Sequence, residues 1–81
     1  MGTKLIATFV SHYDALTFFG YVNGKGLTAK LAPVPRKISA SCGTCVFFET
    51  ASGLGEDIDF TYCEIESVYA EKDGKFCVIR S

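Results

Sequence analysis

Two cysteines three positions apart, Cys42 and Cys45, hold the most reactive chemistry in this sequence. They close the run Pro35-Arg36-Lys37-Ile38-Ser39-Ala40-Ser41-Cys42-Gly43-Thr44-Cys45. Thiols at this spacing can form a disulfide, share a metal ion, or pass a sulfur atom between them. The neighbourhood suits a thiolate at Cys42. Backbone amides of a loop over residues 36–43 can point at its sulfur, and Arg36 and Lys37 add positive charge. Ser39 and Ser41 can donate to a sulfur anion or shape the turn. Gly43 leaves the sulfur sterically open and frees the backbone to turn tightly. Cys42 is the candidate nucleophile. Cys45 is either its resolving partner or an interior residue that alternates along a strand with Phe47. The motif does not directly follow the first strand and open a helix, as it would in a thioredoxin-like protein.

No other segment offers comparable chemistry. Cys63 and Cys77 are far apart, and a zinc ribbon would need a second close-spaced pair, so no metal site is expected and both read as structural. His12, the single histidine, falls at a first helical turn and reads as a capping or surface residue. No Ser-His-Asp set can be assembled around it. Gly24-Lys25-Gly26 lacks the length and the following helix of a phosphate loop. Glu56, Asp57 and Asp59 read as a solvated acidic loop. No cofactor is implied. Tyr13, Phe18, Phe19 and Tyr21 read as core and interface.

The elements that must position the thiols follow from patterning. Lys4 to Val10 is an apolar, β-branched run, a buried central strand. Ser11 then caps a helix, with Asp14 returning a hydrogen bond to the Ser11 backbone as in a capping box. Ala15, Leu16, Phe19 and Val22 form its apolar stripe. Asn23, Gly24 and Gly26 end it. Leu27, Ala29 and Leu31 alternate as a half-buried strand that stops at Pro33 and Pro35. Cys45 to Thr50 returns as a strand. Residues 51–59 read as a loop, and residues 58–62 carry at most a poor helical period. Ile65 to Ala70 and Phe76 to Arg80 pair through Lys72-Asp73-Gly74-Lys75, a type I′ turn.

This order is that of a single α+β domain over residues 1–81, a ferredoxin-like βαββαβ sandwich with a degenerate second helix and an added C-terminal hairpin strand. One good helix leaves one sheet face poorly covered, which makes a homodimer an expectation.

The bulk properties narrow the function. The chain has 81 residues, room for one small domain, and 48% apolar with 21% charged residues fits a folded globule. A net charge of −1 gives no basic excess for nucleic acid or anionic lipid. No apolar run approaches a membrane span, and Lys4 with the polar residues from Ser11 interrupts any signal-like stretch, so a cytoplasmic setting is expected. There, cysteines stay reduced, bind metal or exchange electrons rather than forming a disulfide framework.

The sequence also resembles a known family. Lys4-Leu5-Ile6-Ala7-Thr8-Phe9, Ser11-His12-Tyr13-Asp14-Ala15-Leu16, Leu27 to Arg36, and above all Pro35-Arg36-Lys37-Ile38-Ser39-Ala40-Ser41-Cys42-Gly43 resemble the selenium/sulfur carrier-like proteins, a small bacterial family, over residues 4–70. The resemblance implies one reactive cysteine, Cys42, holding sulfur or selenium as a persulfide or selenosulfide. It also implies a cysteine desulfurase or other sulfur or selenium donor protein as partner. Two departures are visible: many relatives carry an aliphatic residue in place of Cys45, and their second helix is here a Gly-rich loop. The expected activity is that of a carrier or binding protein rather than a stand-alone enzyme. The alternatives are a dithiol redox switch using Cys42 and Cys45, and a non-catalytic interaction or regulatory module.

Overall fold

The computed structural model describes residues 3–38, 43–50 and 58–80. Their elements run β1 (Thr3–Phe9), α1 (His12–Gly24), β2 (Ala29–Pro33), β3 (Thr44–Thr50), β4 (Ile65–Lys72) and β5 (Lys75–Arg80). The strands form one five-stranded sheet in the order β2-β3-β1-β4-β5. Every pairing in it is antiparallel.

β1 sits at the centre because its residues are apolar on both faces. Leu5, Ile6, Ala7 and Phe9 are all fully buried. Side chains alternate across a strand, so Leu5, Ala7 and Phe9 face one side and Ile6 the other. The first side packs under α1 with Val46, Phe48 and Val68. Thr8, buried on the second side, donates its hydroxyl to Ser67 O at 3.4 Å.

The helix begins at Ser11, whose extended backbone (φ −127°, ψ 153°) and side chain cap it. Ser11 Oγ accepts from Asp14 N at 3.2 Å and donates to Asp14 Oδ2 at 2.7 Å. The reciprocal bond thus runs to the Ser11 hydroxyl rather than to its backbone. The aspartate side chain is one methylene shorter than the glutamate of the usual box and stops at the nearer group.

The buried helical stripe is Ala15, Phe18 and Val22. It differs from the expected set: Leu16 is 47% exposed, and Phe19 is only half-buried. Phe18 is the largest apolar side chain able to reach the centre of the sheet, and its ring sets the helix rotation. It meets Phe48 edge-on at 5.3 Å, Phe9 at 5.5 Å and Phe60 at 6.4 Å.

Among the described residues α1 is the only helix. Residues 58–63, part of the stretch where a second helix could stand, form a turn. Ile58 enters the core, while Asp59 N donates to Tyr21 Oη at 2.9 Å and Tyr62 stacks on Tyr21 at 4.2 Å. The protein is therefore α+β, with one helix on a five-stranded antiparallel sheet. At the other end, Asp73 (φ 53°) and Gly74 (φ 77°) both take the left-handed backbone that a type I′ hairpin turn demands. No described helix is long and apolar enough to cross a membrane.

Candidate functional site

The site is the connection between β2 and β3. Their ladder pairs Ala29 with Phe48 through to Pro33 with Thr44. One further bond, Val34 N to Gly43 O at 3.1 Å, carries the register past Pro33. This closes the neck of a loop that leaves the sheet at Val34 and returns at Gly43. Gly43 has φ 70°, the left-handed region, and a Cβ there would meet nothing within 4 Å. Glycine is thus required by backbone conformation, not by space. Gly43 is exposed.

The outgoing limb of this loop crosses the sheet face opposite the helix. Ile38 is 6% exposed and packs on Ile6 and Cys45, with Val34, Phe47, Tyr69 and Phe76 around them. Ile38 N donates to Pro35 O at 3.0 Å, forming a tight turn. Arg36 and Lys37 point outward and are exposed. Lys37 Nζ donates to Gly74 O at 3.2 Å, tying the loop to the β4–β5 turn. The face that seemed to lack a cover therefore has one over part of its width. A groove of about 400 Å³ remains open beside it over Phe47, rimmed by Lys4, Lys30, Glu49 and Glu71. Gly43, Thr44 and Cys45 do not line that groove.

Of the expected site residues, Arg36, Gly43 and Cys45 lie within the described residues. Cys45 is fully buried. It alternates with Phe47 on the loop-covered face, and its Sγ donates to Pro33 O at 3.7 Å. Arg36 and Gly43 are exposed at opposite limbs of the loop. Cys42, Ser39 and Ser41 lie outside the described residues, as do Glu56 and Asp57 of the acidic loop.

One contact escaped the sequence reading. His12, the first residue of α1, places Nδ1 3.2 Å from Thr44 Oγ1, 32 positions away. The sole histidine thus meets the C-x-x-C motif itself. No periodicity reports such a contact, because it depends on how the helix start lies against the start of β3.

The other thiols differ in environment. Cys63 is half-buried and donates Sγ to Asp14 O at 3.6 Å. Burial, and secondarily the Asp14 charge, push its thiol pKa up, so it stays protonated. Cys77 is exposed on the edge strand β5, where it fills no interior space. No three His, Cys, Asp or Glu side chains among the described residues gather closely enough to hold a metal ion.

With this geometry in place, the comparison with known families is decisive. Residues 4–57 match the family described as "Putative Se/S carrier protein-like". The chain belongs to this family. The match takes in β1, α1, β2, the Ser41-Cys42-Gly43 run and β3. It ends short of the residue 70 that the resemblance reached, leaving β4 and β5 beyond it. No curated protein and no solved structure matches the chain.

Proposed function

We propose that this member of the Se/S carrier-like family holds one sulfur or selenium atom on Cys42 and passes it between proteins. The observation that carries this reading is the family match across the Ser41-Cys42-Gly43 run, together with an exposed, conformationally required glycine next to the candidate cysteine.

In the loading step, Cys42 thiolate attacks the terminal sulfur of a donor persulfide. The Cys42–sulfur bond forms and the donor's sulfur–sulfur bond breaks. The donor leaves as a thiolate with the bonding pair, so no net oxidation occurs. A selenium atom carried as a selenosulfide follows the same balance. The donor is a protein persulfide of the kind a cysteine desulfurase forms. Arg36 and the loop amides stabilise the anion, with Ser39 and Ser41 as hydroxyl donors. The exchange requires reduced thiols, which suits a cytoplasmic setting.

Cys45 was the candidate for releasing the atom. Its complete burial favours delivery to a thiol on an acceptor protein instead. The same burial weighs against the dithiol switch, which needs both sulfurs to meet at disulfide geometry. We extend the reading to the fold: the sheet with α1 belongs to a worn ferredoxin-like βαββαβ sandwich, with the turn at residues 58–63 in part of the stretch where its second helix would stand.

The test is intact mass after incubation with a cysteine desulfurase and cysteine or selenocysteine, beside Cys42→Ser and Cys45→Ser. A gain of one sulfur or selenium atom, removed by reductant, lost in Cys42→Ser and kept in Cys45→Ser, is the expected result. A loss of two hydrogens with no added atom would replace this reading with the redox switch. An unchanged mass would leave an interaction module.

A further inference from the structure

We propose that a second copy of this chain docks on the loop-bearing face of the sheet, each copy's Val34–Lys37 ridge seated in the other's groove over Phe47. The inference stands apart from the carrier reading and is tested without sulfur or selenium.

Strand register defines the face. Lys4 pairs with Glu49 across β1 and β3, and Lys30 pairs with Phe47 across β2 and β3. Leu5 pairs with Ala70, which puts Glu71 opposite Lys4 on β4. Side chains two apart along a strand share a face. Lys4, Lys30, Phe47, Glu49 and Glu71 therefore all lie on the side of Ile6, opposite the helix. They frame the groove of about 400 Å³, with the half-buried Phe47 in its floor. Beside it stands the outgoing limb of the loop. Ile38 is the residue of that limb buried against the sheet. Val34 and Pro35 are half-buried, and Arg36 and Lys37 are exposed.

A face with a ridge and a groove side by side is complementary to itself under a two-fold rotation, the symmetry of an isologous dimer. The charges follow the shape. Arg36 and Lys37 make the ridge cationic. On the groove rim Lys4 lies between Glu49 and Glu71, two carboxylates to one ammonium. Lys30 stands apart, across Phe47 on the edge strand. The carboxylate in excess is the one that Arg36 of a second copy meets. Arg36 can serve here and in the carrier reading, since a bidentate carboxylate takes two of its five N–H donors.

Apolar surface and area support the same occupant. Val78, paired with Tyr69 on this face, is 58% exposed. Tyr69 and Phe76 are half-buried. The Cα atoms fill a slab of 29 × 28 × 19 Å, so a broad face presents up to roughly 800 Å², the share each partner gives to a standard stable interface. A net charge of −1 per chain sets little repulsion between copies.

The test is sedimentation equilibrium of the full chain in reductant, which keeps the exposed Cys77 from supplying a disulfide-linked dimer. The wild type is expected to approach twice the 8.8 kDa of one chain as concentration rises, less readily in high salt. Arg36→Glu sets acid against acid and is expected to weaken pairing about tenfold or more. Arg36→Glu combined with Glu49→Arg exchanges the two signs and is expected to recover most of that loss. Leu16→Glu, on the outer face of α1 where Leu16 is 47% exposed, leaves pairing unchanged. Circular dichroism and thermal unfolding check that each variant is folded. A wild type that stays at 8.8 kDa at millimolar concentration overturns the proposal. So does a dimer indifferent to Arg36→Glu, or one broken by Leu16→Glu, which puts the second copy on the helix instead. A folded double variant that recovers nothing removes the Arg36–Glu49 pairing, and with it the seating of ridge in groove.

Discussion

The two faces of the sheet are built from different materials. On one, a 13-residue helix lays an aromatic cluster around Phe18 against β1 and β3. On the other, a short irregular segment, Val34 to Ile38, lies over Ile6 and Cys45. The helix satisfies its own backbone hydrogen bonds and delivers a continuous apolar stripe. Among the described residues, the loop segment is anchored by the buried side chain of Ile38, the Ile38–Pro35 turn bond, the Val34–Gly43 bond at the neck and the Lys37–Gly74 bond. The first face holds the larger buried apolar cluster. The second is covered by the segment that precedes the candidate cysteine in sequence.

Removing one anchor from each face exposes the difference. Phe18→Ala takes the central ring from a cluster that also holds Phe9, Phe48, Phe60 and Tyr21. It is expected to cost about 3–5 kcal/mol in urea unfolding, a large part of the total for a domain this small. A loss near 1 kcal/mol would mean that the helix face is not the stabilising one.

Ile38→Ala is expected to cost less, about 2 kcal/mol, but to act on reactivity. Cys45 lies beneath Ile38, so its alkylation should speed by tenfold or more under native conditions. Unchanged protection of Cys45 would show that the loop limb is not what shields it.

The smallest effect belongs to the turn at residues 58–63. Asp59 accepts from Thr61 N at 2.9 Å and from Thr61 Oγ1 at 2.5 Å. These hydrogen bonds, the side-chain one first, with the Lys25 charge as a weaker cause, hold its pKa below the ordinary 3.8. A depressed carboxylate contributes stability above its unfolded pKa and loses it as pH falls through the folded value. The wild type should therefore be slightly more stable than Asp59→Asn above about pH 4, the gap closing as pH drops below that. Thermal unfolding of the two proteins across this range tests it. A gap that persists in strong acid would assign the difference to something other than ionisation.

Much of the scaffold was legible because it depends on local pattern. The apolar run Lys4 to Val10 marked the central strand. Ser11 marked the helix start, since an N-cap acts on amides within one turn. Asp73-Gly74 marked the hairpin, because few other dipeptides accept two positive φ values. The limits of such reading also have physical causes. Ala15, Leu16, Phe19 and Val22 make an acceptable helical stripe, and only the sheet beneath them selected Phe18 and turned Leu16 outward. The cover supplied by Ile38 was not visible, since its partners Ile6 and Tyr69 are distant in sequence.

The sequence by itself determined the element order, the C-x-x-C motif and family membership, because these are properties of spacing and residue type. Tertiary structure alone decided that Cys45 is interior and that His12 meets Thr44. The first depends on which sheet face the loop crosses, the second on where the helix start lies against β3. Both are set by contacts between segments far apart in the chain, whose packing no local pattern encodes.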